Sequence, residues 1–144
     1  MTLELAVIAV ADVDRSKLFY AALGWRFDID FQGDDYRIVQ FTPRGSGCSI
    51  VIGTLPAQNE MAPGSMRGLQ LVVSDAAAAR QELVDRGVEA SEIKVFDERD
   101  GGTFFGFADP DGNTWAVQQL KVRAEKPLIP SDARGRFGED VGAG

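Results

Sequence analysis

Histidine and cysteine, which often bind metals or act as nucleophiles in enzyme sites, are almost missing from this chain. Its 144 residues include no histidine and a single cysteine, Cys48. Without imidazole the chain lacks the usual proton shuttle, triad base and zinc ligand. A lone cysteine cannot form an internal disulfide and is typical of a reducing compartment. Catalysis without a metal would therefore need a carboxylate or a tyrosine as its base.

The charge balance excludes one large class of partner. Fifteen basic and 22 acidic residues give a net charge of −7, whereas binding to a nucleic-acid backbone needs a positive surface. The longest apolar run, residues 5–11, is far too short to span a membrane. Strand-like sequence follows Met1 directly, so we expect no signal peptide and a cytoplasmic location.

The most specific short motif is FADPDGNTWAVQQL at residues 107–120. Pro110 fixes the backbone angle that the second position of a tight turn needs, and Gly112 supplies a positive φ. Asp109 and Asp111 can accept hydrogen bonds from nearby backbone amides. The motif on its own predicts a strand, a tight turn and a second strand.

An offset of 63 residues brings the two halves of the chain into rough register. It places Asp12 on Asp75 and Gly24 on Gly87. In each half an apolar run precedes the aspartate, and a helical stretch leads from it to the glycine. Aspartate is a frequent helix N-cap, and glycine commonly follows a helix end. The chain is therefore predicted to be two copies of one structural unit around a shared space.

Each half is predicted to form one strand, one helix and three further strands. In the first half the strands are expected at residues 3–10, 25–30, 36–41 and 48–52, with the helix between residues 12 and 24. In the second half they are expected at residues 69–73, 93–96, 103–108 and 114–120, with the helix at residues 75–86. Apolar and alternating runs favour these strands, and turn-rich segments separate them.

These elements predict an α+β fold in which two tandem β-α-β-β-β modules form a curved mixed sheet around a central cup. The modules span residues 3–54 and 67–120, joined by a connector at residues 55–66 within a single domain. One module alone would leave a sheet face uncovered, so the two must pair to bury it. Residues 121–144 are charged and carry proline and glycine, so we expect an extended or disordered tail.

The DPDGN turn and the doubled module together resemble the glyoxalase / bleomycin-resistance / extradiol-dioxygenase superfamily, also called the vicinal oxygen chelate superfamily. The segment VADVDRSKLFYAALGW resembles the first helix of that family, including Phe19-Tyr20 and Leu23-Gly24. The resemblance covers residues 3–120. It implies the fold but no single activity, because members include isomerases, epimerases, dioxygenases, thiol transferases and binding proteins.

Active members of the superfamily usually hold one divalent metal between the two modules, with ligands from the first and last strand of each. By the resemblance, those positions correspond here to Leu5, Val51, Gly68 and Ala116. Their side chains cannot bind a divalent cation of this type, which needs imidazole or carboxylate donors. We therefore expect no metal site and no cofactor.

Strand side chains alternate between the two faces of a sheet, so these positions also mark the face that lines the cup. This face is predicted to be small and mixed, which is typical of a small-molecule site. The predicted ligand-binding residues are Leu5, Val7, Trp25, Val51, Gly68, Gln70, Phe105, Ala116 and Gln118. Alternation places no carboxylate on this face, which argues against proton abstraction.

The sequence leaves alternatives open for the positions of two sets of aromatic side chains. Trp25 lies beside the cup, beside a partner subunit or in the core. Phe104, Phe105 and Phe107 share one strand and cannot all face the same way, so two are expected in the core and one, Phe105, in the cup, where a planar ligand could stack on it. The cup itself could instead be filled by side chains or belong to a dimer interface.

The function that the sequence favours is binding of a drug or aromatic metabolite without a metal, as in the drug-sequestering members of the superfamily. The acidic net charge favours a cationic ligand. One alternative is a metal-dependent enzyme of the glyoxalase or dioxygenase type, with ligands at other positions. Another is an interaction module whose cup is closed. A homodimer is expected, because many superfamily members pair, and no nucleic-acid or membrane partner is expected.

Overall fold

The computed structural model describes residues 1–129, which divide into two units. The first unit comprises Met1–Arg67 together with Ala108–Thr114, and the second comprises Gly68–Phe107 together with the chain from Trp115 onward. The long helix of each unit has ten residues. Each sheet has four strands and contains both parallel and antiparallel pairs. The predicted α+β fold of two β-α-β-β-β modules is therefore confirmed.

The first unit follows its predicted element order, with small shifts at the ends. Its elements are β1 (Leu5–Ile8), α1 (Val13–Ala22), β2 (Arg26–Gln32), β3 (Arg37–Thr42), β4 (Ser49–Gly53) and the short helix α2 (Pro56–Asn59). The sheet order is β1-β4-β3-β2, in which β1 and β4 are parallel and the other pairs are antiparallel. The connector expected at residues 55–66 thus contains one helical turn that the sequence pattern did not predict.

The second unit repeats this plan. Its elements are β5 (Leu69–Val73), α3 (Ala76–Asp85), β6 (Lys94–Val95), β7 (Thr103–Ala108) and β8 (Thr114–Gln119), followed by a 3-10 helix at Lys121–Ala124. The sheet order is β5-β8-β7-β6, with β5 and β8 parallel. The tail expected from residue 121 therefore begins with one ordered turn. The part of that prediction from residue 130 onward lies outside the described residues.

The two long helices begin and end for the same physical reasons. The side chains of Asp12 and Asp75 each accept a hydrogen bond from a backbone amide three residues further on, at 3.1 and 3.0 Å. Such N-caps satisfy amides that have no partner in the first helical turn. Gly24 and Gly87 follow the helices with φ values of 83° and 86°, which favour glycine. No helix in the described part of the chain is long and apolar enough to span a membrane.

The apolar core of each unit lies between its sheet and its long helix. In the first unit the Tyr20 ring of α1 contacts Phe41 of β3, with ring centroids 6.2 Å apart. In the second unit Phe107 of β7 stacks on Trp115 of β8, with ring centroids 6.1 Å apart. Burying a large apolar side chain contributes about 1.5–3 kcal/mol. This packing decides which face of each sheet is turned towards its helix.

The DPDGN turn belongs to the first unit and joins several of its elements. One oxygen of the buried Asp109 carboxylate accepts hydrogen bonds from the Tyr20 hydroxyl (2.9 Å) and from Asn113 Nδ2 (2.7 Å). The other oxygen accepts from the backbone amides of Asp111 and Asn113, both at 2.9 Å. Asn113 also donates to the Ala9 carbonyl at 3.0 Å. Because the network is buried and uses both carboxylate oxygens, we assign the turn a structural role.

Candidate functional site

One face of each sheet is turned away from its long helix, and we call it the distal face. In the first unit the strand register places Leu5 beside Ser49 and Val7 beside Val51 on this face. Gln40 of β3 is opposite Val51 of β4. The distal face of the first sheet therefore combines apolar residues of β1 and β4 with polar residues of β3 and β4.

A polar network crosses the distal face of the first sheet. One oxygen of the Asp28 carboxylate accepts hydrogen bonds from Thr42 Oγ1 at 2.5 Å and from Gln40 Nε2 at 3.3 Å. Thr42 Oγ1 lies 2.6 Å from Ser49 Oγ, to which Gln40 Nε2 also donates at 3.4 Å. The other Asp28 oxygen accepts from Arg26 Nε at 2.5 Å. Side chains from β2, β3 and β4 are thus joined around one carboxylate, and we call this set the Asp28 network.

The surroundings of Asp28 keep its carboxylate ionised. Burial alone would raise the pKa of Asp28, but hydrogen bonds from Thr42, Arg26 and Gln40 outweigh burial and hold the pKa below its ordinary value. A carboxylate stabilised in this way is a weak proton acceptor, because its charged form is already satisfied. Asp28 is therefore suited to orient its neighbours and poorly suited to remove a proton from a substrate.

A solvent-open cavity of about 510 Å³ adjoins the Asp28 network at one end of the first sheet, and most of its lining residues are exposed. The residues that line it are Arg26, Thr42, Pro43, Arg44, Gly45 and Ser46. Two of them, Arg26 and Thr42, are hydrogen-bonded to Asp28. Pockets for small organic molecules are of this size. The Asp28 network and the cavity together form the candidate site of the first unit.

The distal face of the second sheet carries a pair of amides and an aromatic pair. Gln70 Nε2 donates to Gln118 Oε1 at 2.9 Å, and Gln118 Nε2 donates to the Gly101 carbonyl at 2.9 Å. The Phe104 ring contacts the Phe96 ring edge to face, with centroids 6.0 Å apart. Phe96 is 73% exposed. This face therefore offers hydrogen-bonding groups and an exposed aromatic ring to a ligand.

Seven of the nine predicted ligand-binding residues lie at or next to a distal face. They are Leu5, Val7 and Val51 in the first unit and Gly68, Gln70, Ala116 and Gln118 in the second. Val51 and Gln118 are buried, whereas Leu5 and Gln70 are exposed. A side chain added at Gly68 would meet nothing within 4 Å, so the space beside it is open. Contact between these residues and a ligand stays a prediction.

Trp25 does not lie on the distal face. Its ring contacts the buried Tyr20 of α1, with ring centroids 5.8 Å apart. The next residue, Arg26, is opposite Thr42 on the distal face, so alternation turns Trp25 towards α1. Of the alternatives for Trp25, packing against the core residue Tyr20 is the contact that the structure shows, and contact between Trp25 and a ligand stays a prediction.

Phe105 is also turned away from the distal face. Phe107 stacks on Trp115, which pairs with Leu69 on the side of the sheet that faces α3. Alternation places Phe105 on that same side, where it is 4% exposed. The expectation that two of the three phenylalanines pack in the core is confirmed. Phe104 and not Phe105 holds the distal position, and contact between Phe105 and a ligand stays a prediction.

The Asp28 carboxylate overturns the expectation that no carboxylate lies on the ligand-facing side of the sheet. Asp28 lies two residues after Arg26, which is opposite Thr42, so alternation along β2 places both side chains on the distal face. The faces of the β2 residues were not predicted from the sequence, because alternation was applied to the strands that carry the metal positions. Thr42 and Arg44 were likewise missed, because their positions depend on strand pairing and loop conformation.

The residues at the superfamily's metal positions do not fit a metal ion. Leu5, Val51, Gly68 and Ala116 carry no donor group in their side chains. Within residues 1–129, no group of three or more His, Cys, Asp or Glu side chains could hold a metal ion. The Asp28 carboxylate on the first distal face is engaged by other side chains. The metal-dependent chemistry of active relatives has no matching donor set in this part of the chain.

Comparison with known proteins places these features in a family. The sequence model of the Glyoxalase/Bleomycin resistance protein/Dioxygenase superfamily matches residues 2–117. TnmS3, an antibiotic binding protein from Streptomyces sp. CB03234, is 32% identical with a TM-score of 0.70, and the match covers 83% of this chain and 96% of that one. A glyoxalase/bleomycin resistance protein from the same organism is 32% identical with a TM-score of 0.68, covering 82% and 100%.

A third similar structure is a superfamily member from Sphaerobacter thermophilus. It is 27% identical with a TM-score of 0.69, and the match covers 83% of this chain and 97% of that one. A search of curated proteins finds no match. On the extent of the sequence match and the shared fold, this chain belongs to the Glyoxalase/Bleomycin resistance protein/Dioxygenase superfamily.

Proposed function

We propose that this protein binds a small, partly aromatic organic molecule, without a metal ion and without turnover. The observation that carries the proposal is the composition of the first distal face. There the Asp28 network adjoins a cavity of about 510 Å³, while the family's metal positions on that face are occupied by Leu5 and Val51. A cavity with a few fixed polar groups can hold and orient a ligand.

The relatives support binding over catalysis. TnmS3 is described as an antibiotic binding protein, and it shares 32% identity with this chain over 83% of its length. A binding role needs shape and hydrogen bonds but no acid–base group. Fold membership alone would not decide between binding and catalysis, because the superfamily contains both.

The chemistry of Asp28 supports the same conclusion. A general base works best with a pKa close to the working pH. Burial alone would raise the pKa of Asp28, but its hydrogen bonds hold the pKa below its ordinary value. Asp28 is therefore well suited to orient Thr42 and Arg26 and poorly suited to accept a proton from a ligand.

The aromatic preference is based on the second distal face. The exposed Phe96 and the adjacent Phe104 present ring faces and edges, and aromatic rings pair with other rings in offset or edge-to-face arrangements. The amides of Gln70 and Gln118 lie on the same sheet face and can bond to polar groups of a ligand.

The test uses the full chain after treatment with a chelator and N-phenyl-1-naphthylamine as an uncharged aromatic probe. We expect saturable binding by fluorescence titration, substoichiometric divalent metal by elemental analysis, and an unchanged probe by mass spectrometry. The Phe104→Ala variant should bind the probe about tenfold more weakly, since an aromatic contact contributes about 0.5–1.5 kcal/mol beyond its burial. The control Leu18→Ala removes an exposed apolar side chain from α1 and should bind normally.

Two outcomes would contradict the proposal. Stoichiometric divalent metal, together with activity lost to the chelator, would favour the metal-dependent enzyme. Failure of the probe to raise the thermal stability of the protein or to saturate it would favour an interaction module, because a ligand that prefers the native state stabilises it.

A further inference from the structure

The cavity of the first unit is lined by two arginines, in a protein whose net charge is −7. Arg26 enters it from the start of β2, and Arg44 enters it from the loop between β3 and β4. Both arginines belong to the first unit. Thr42, which lies between them in the sequence, adds a hydroxyl to the lining of the cavity. The local charge therefore differs in sign from the charge of the whole protein.

The two guanidinium groups have unused hydrogen-bond donors. Arg26 donates through Nε to Asp28, which leaves its two terminal nitrogens without a protein acceptor among the described residues. Arg44 makes no hydrogen bond or ion pair with its side chain in residues 1–129. A guanidinium group has five N–H donors and matches planar or tetrahedral oxyanions, to which it can bind through two parallel hydrogen bonds.

Asp28 determines the charge and the direction of Arg26. Its carboxylate neutralises one of the two guanidinium charges, so the Asp28, Arg26 and Arg44 group carries a formal charge of about +1. Because Asp28 Oδ1 accepts from Nε, the outer edge of Arg26 stays available. Asp28 is thus a positioning residue for Arg26.

The loop that carries Arg44 has a defined conformation. The Ser46 amide donates to the Pro43 carbonyl at 3.0 Å, which closes a tight turn, and Gly45 takes a φ of 79°. The Ser46 hydroxyl donates to the Cys48 carbonyl at 2.9 Å and accepts from the Cys48 amide at 3.1 Å. A loop held by its own hydrogen bonds loses less conformational freedom when a ligand binds to it.

We propose that this cavity binds an anionic group of the ligand, a carboxylate, sulfate or phosphate, through Arg26 and Arg44. The proposal rests on the proposed function and names the chemical class of ligand for that site. It replaces the expectation of a cationic ligand, which came from net charge alone. Over a few ångströms the nearest charges dominate, because more distant ones are screened by solvent and salt.

The experiment compares two probes that share one ring system. The probes are 8-anilinonaphthalene-1-sulfonate, which is anionic, and N-phenyl-1-naphthylamine, which is uncharged. The full chain should bind the sulfonate about tenfold more tightly than the uncharged probe, because hydrogen bonds to charged groups are the stronger kind. Arg44→Gln should lower the ratio of the two affinities from about ten to near one, because the sulfonate loses a charged hydrogen-bond partner.

The matched control is Arg86→Gln directly after α3, which removes an arginine that lies outside the cavity and is paired with Glu82. It should keep the full preference for the sulfonate. A second measurement uses inorganic sulfate alone and follows the Nε–H signals of the arginines by NMR. We expect sulfate to shift the signals of Arg26 and Arg44 and to leave that of Arg86 in place.

The outcomes separate this inference from the function on which it rests. If both probes bind equally, or if Arg86→Gln lowers the preference as much as Arg44→Gln does, the anion site is wrong and the binding function stands. If the uncharged probe does not bind but sulfate shifts Arg26 and Arg44, the anion site stands and the aromatic-binding function is wrong. If neither the probes nor sulfate bind, both are overturned.

Discussion

Asp28 and Asp109 are both hydrogen-bonded carboxylates in the first unit, but Asp28 is half-buried and Asp109 is buried, and their surroundings differ in kind. Asp109 is 5% exposed, and two of its four hydrogen bonds come from backbone amides of its own turn. Asp28 receives its hydrogen bonds from the side chains of Thr42, Gln40 and Arg26, two of which line a cavity. The Asp109 network is closed within the fold, whereas the Asp28 network ends at a space that a ligand can enter.

This difference separates a residue that maintains the fold from one that prepares a site. A closed, buried network gains stability only when every member is satisfied, and it offers no free group to a ligand. A network beside a cavity can exchange a partner for a ligand group or for water. The most recognisable motif of the chain therefore identifies its fold, and its candidate site lies elsewhere.

The largest loss of folding stability is expected for Asp109→Asn. The new amide group would face the Tyr20 hydroxyl and Asn113 Nδ2, so donor groups would face each other in a buried site. Leaving such groups unsatisfied should lower the free energy of unfolding by about 3 kcal/mol. Urea denaturation followed by circular dichroism measures the change.

A smaller loss is expected for Asp28→Asn, about 1 kcal/mol by the same measurement. One amide oxygen can still accept from Thr42, and water in the cavity can satisfy the remaining donors. Equal losses for the two variants would break the distinction between a closed and an open network. A larger loss at Asp28 than at Asp109 would reverse it.

A pH-dependent contribution is expected from a third aspartate, Asp30, which lies on β2. Arg37 donates to it at 2.9 and 3.0 Å and Lys17 donates at 2.8 Å, and these bonds hold the pKa of Asp30 well below its ordinary value. A carboxylate whose pKa is lowered by folding stabilises the folded state at pH values above its pKa in the unfolded chain. This stabilisation is lost as the pH falls through the pKa of the carboxylate in the folded protein.

Asp30→Asn should therefore lower the free energy of unfolding by about 1 kcal/mol at pH 7, near the upper end for a partly exposed ion pair. The difference from the unmodified protein should shrink as the pH falls below about 4. Urea denaturation at a series of pH values tests this. A difference that is constant down to pH 2 would show that the ion pairs do not stabilise the fold.

The smallest loss of folding stability is expected for a substitution of Asp97, in the loop after β6. Arg99 lowers the pKa of Asp97 to about 2 through its side chain and its backbone amide. Both partners are exposed, so solvent screens the interaction. Asp97→Asn should leave the denaturation midpoint unchanged within measurement error, and a clear shift would mean that the loop has a packing role.

Local signals account for the features that could be predicted from the sequence. The bounds of β5 and β7 were predicted to the residue, and each of the two long helices begins at an N-cap aspartate and ends before a glycine. The DPDGN turn was recognised because its residues each satisfy a requirement of a tight turn. These features depend on residues that are close together in the chain.

The candidate site depends on contacts between residues that are far apart in the chain. Asp28 meets Thr42, and Thr42 meets Ser49, only when β2, β3 and β4 pair. Phe105 was misplaced for a related reason, since alternation shows that Phe104 and Phe105 differ in face but not which one is buried. Tertiary packing against Trp115 makes that choice.

The most direct test of the account is an NMR titration of the ¹⁵N-labelled full chain, after chelator treatment, with 8-anilinonaphthalene-1-sulfonate. We predict that the shifts concentrate at Thr42, Arg44 and Ser49, beside the Asp28 network, while the signals of Asp109 and Asn113 stay in place. Shifts centred on the DPDGN turn, or binding that appears only after divalent metal is added, would contradict a metal-free ligand site on the distal face.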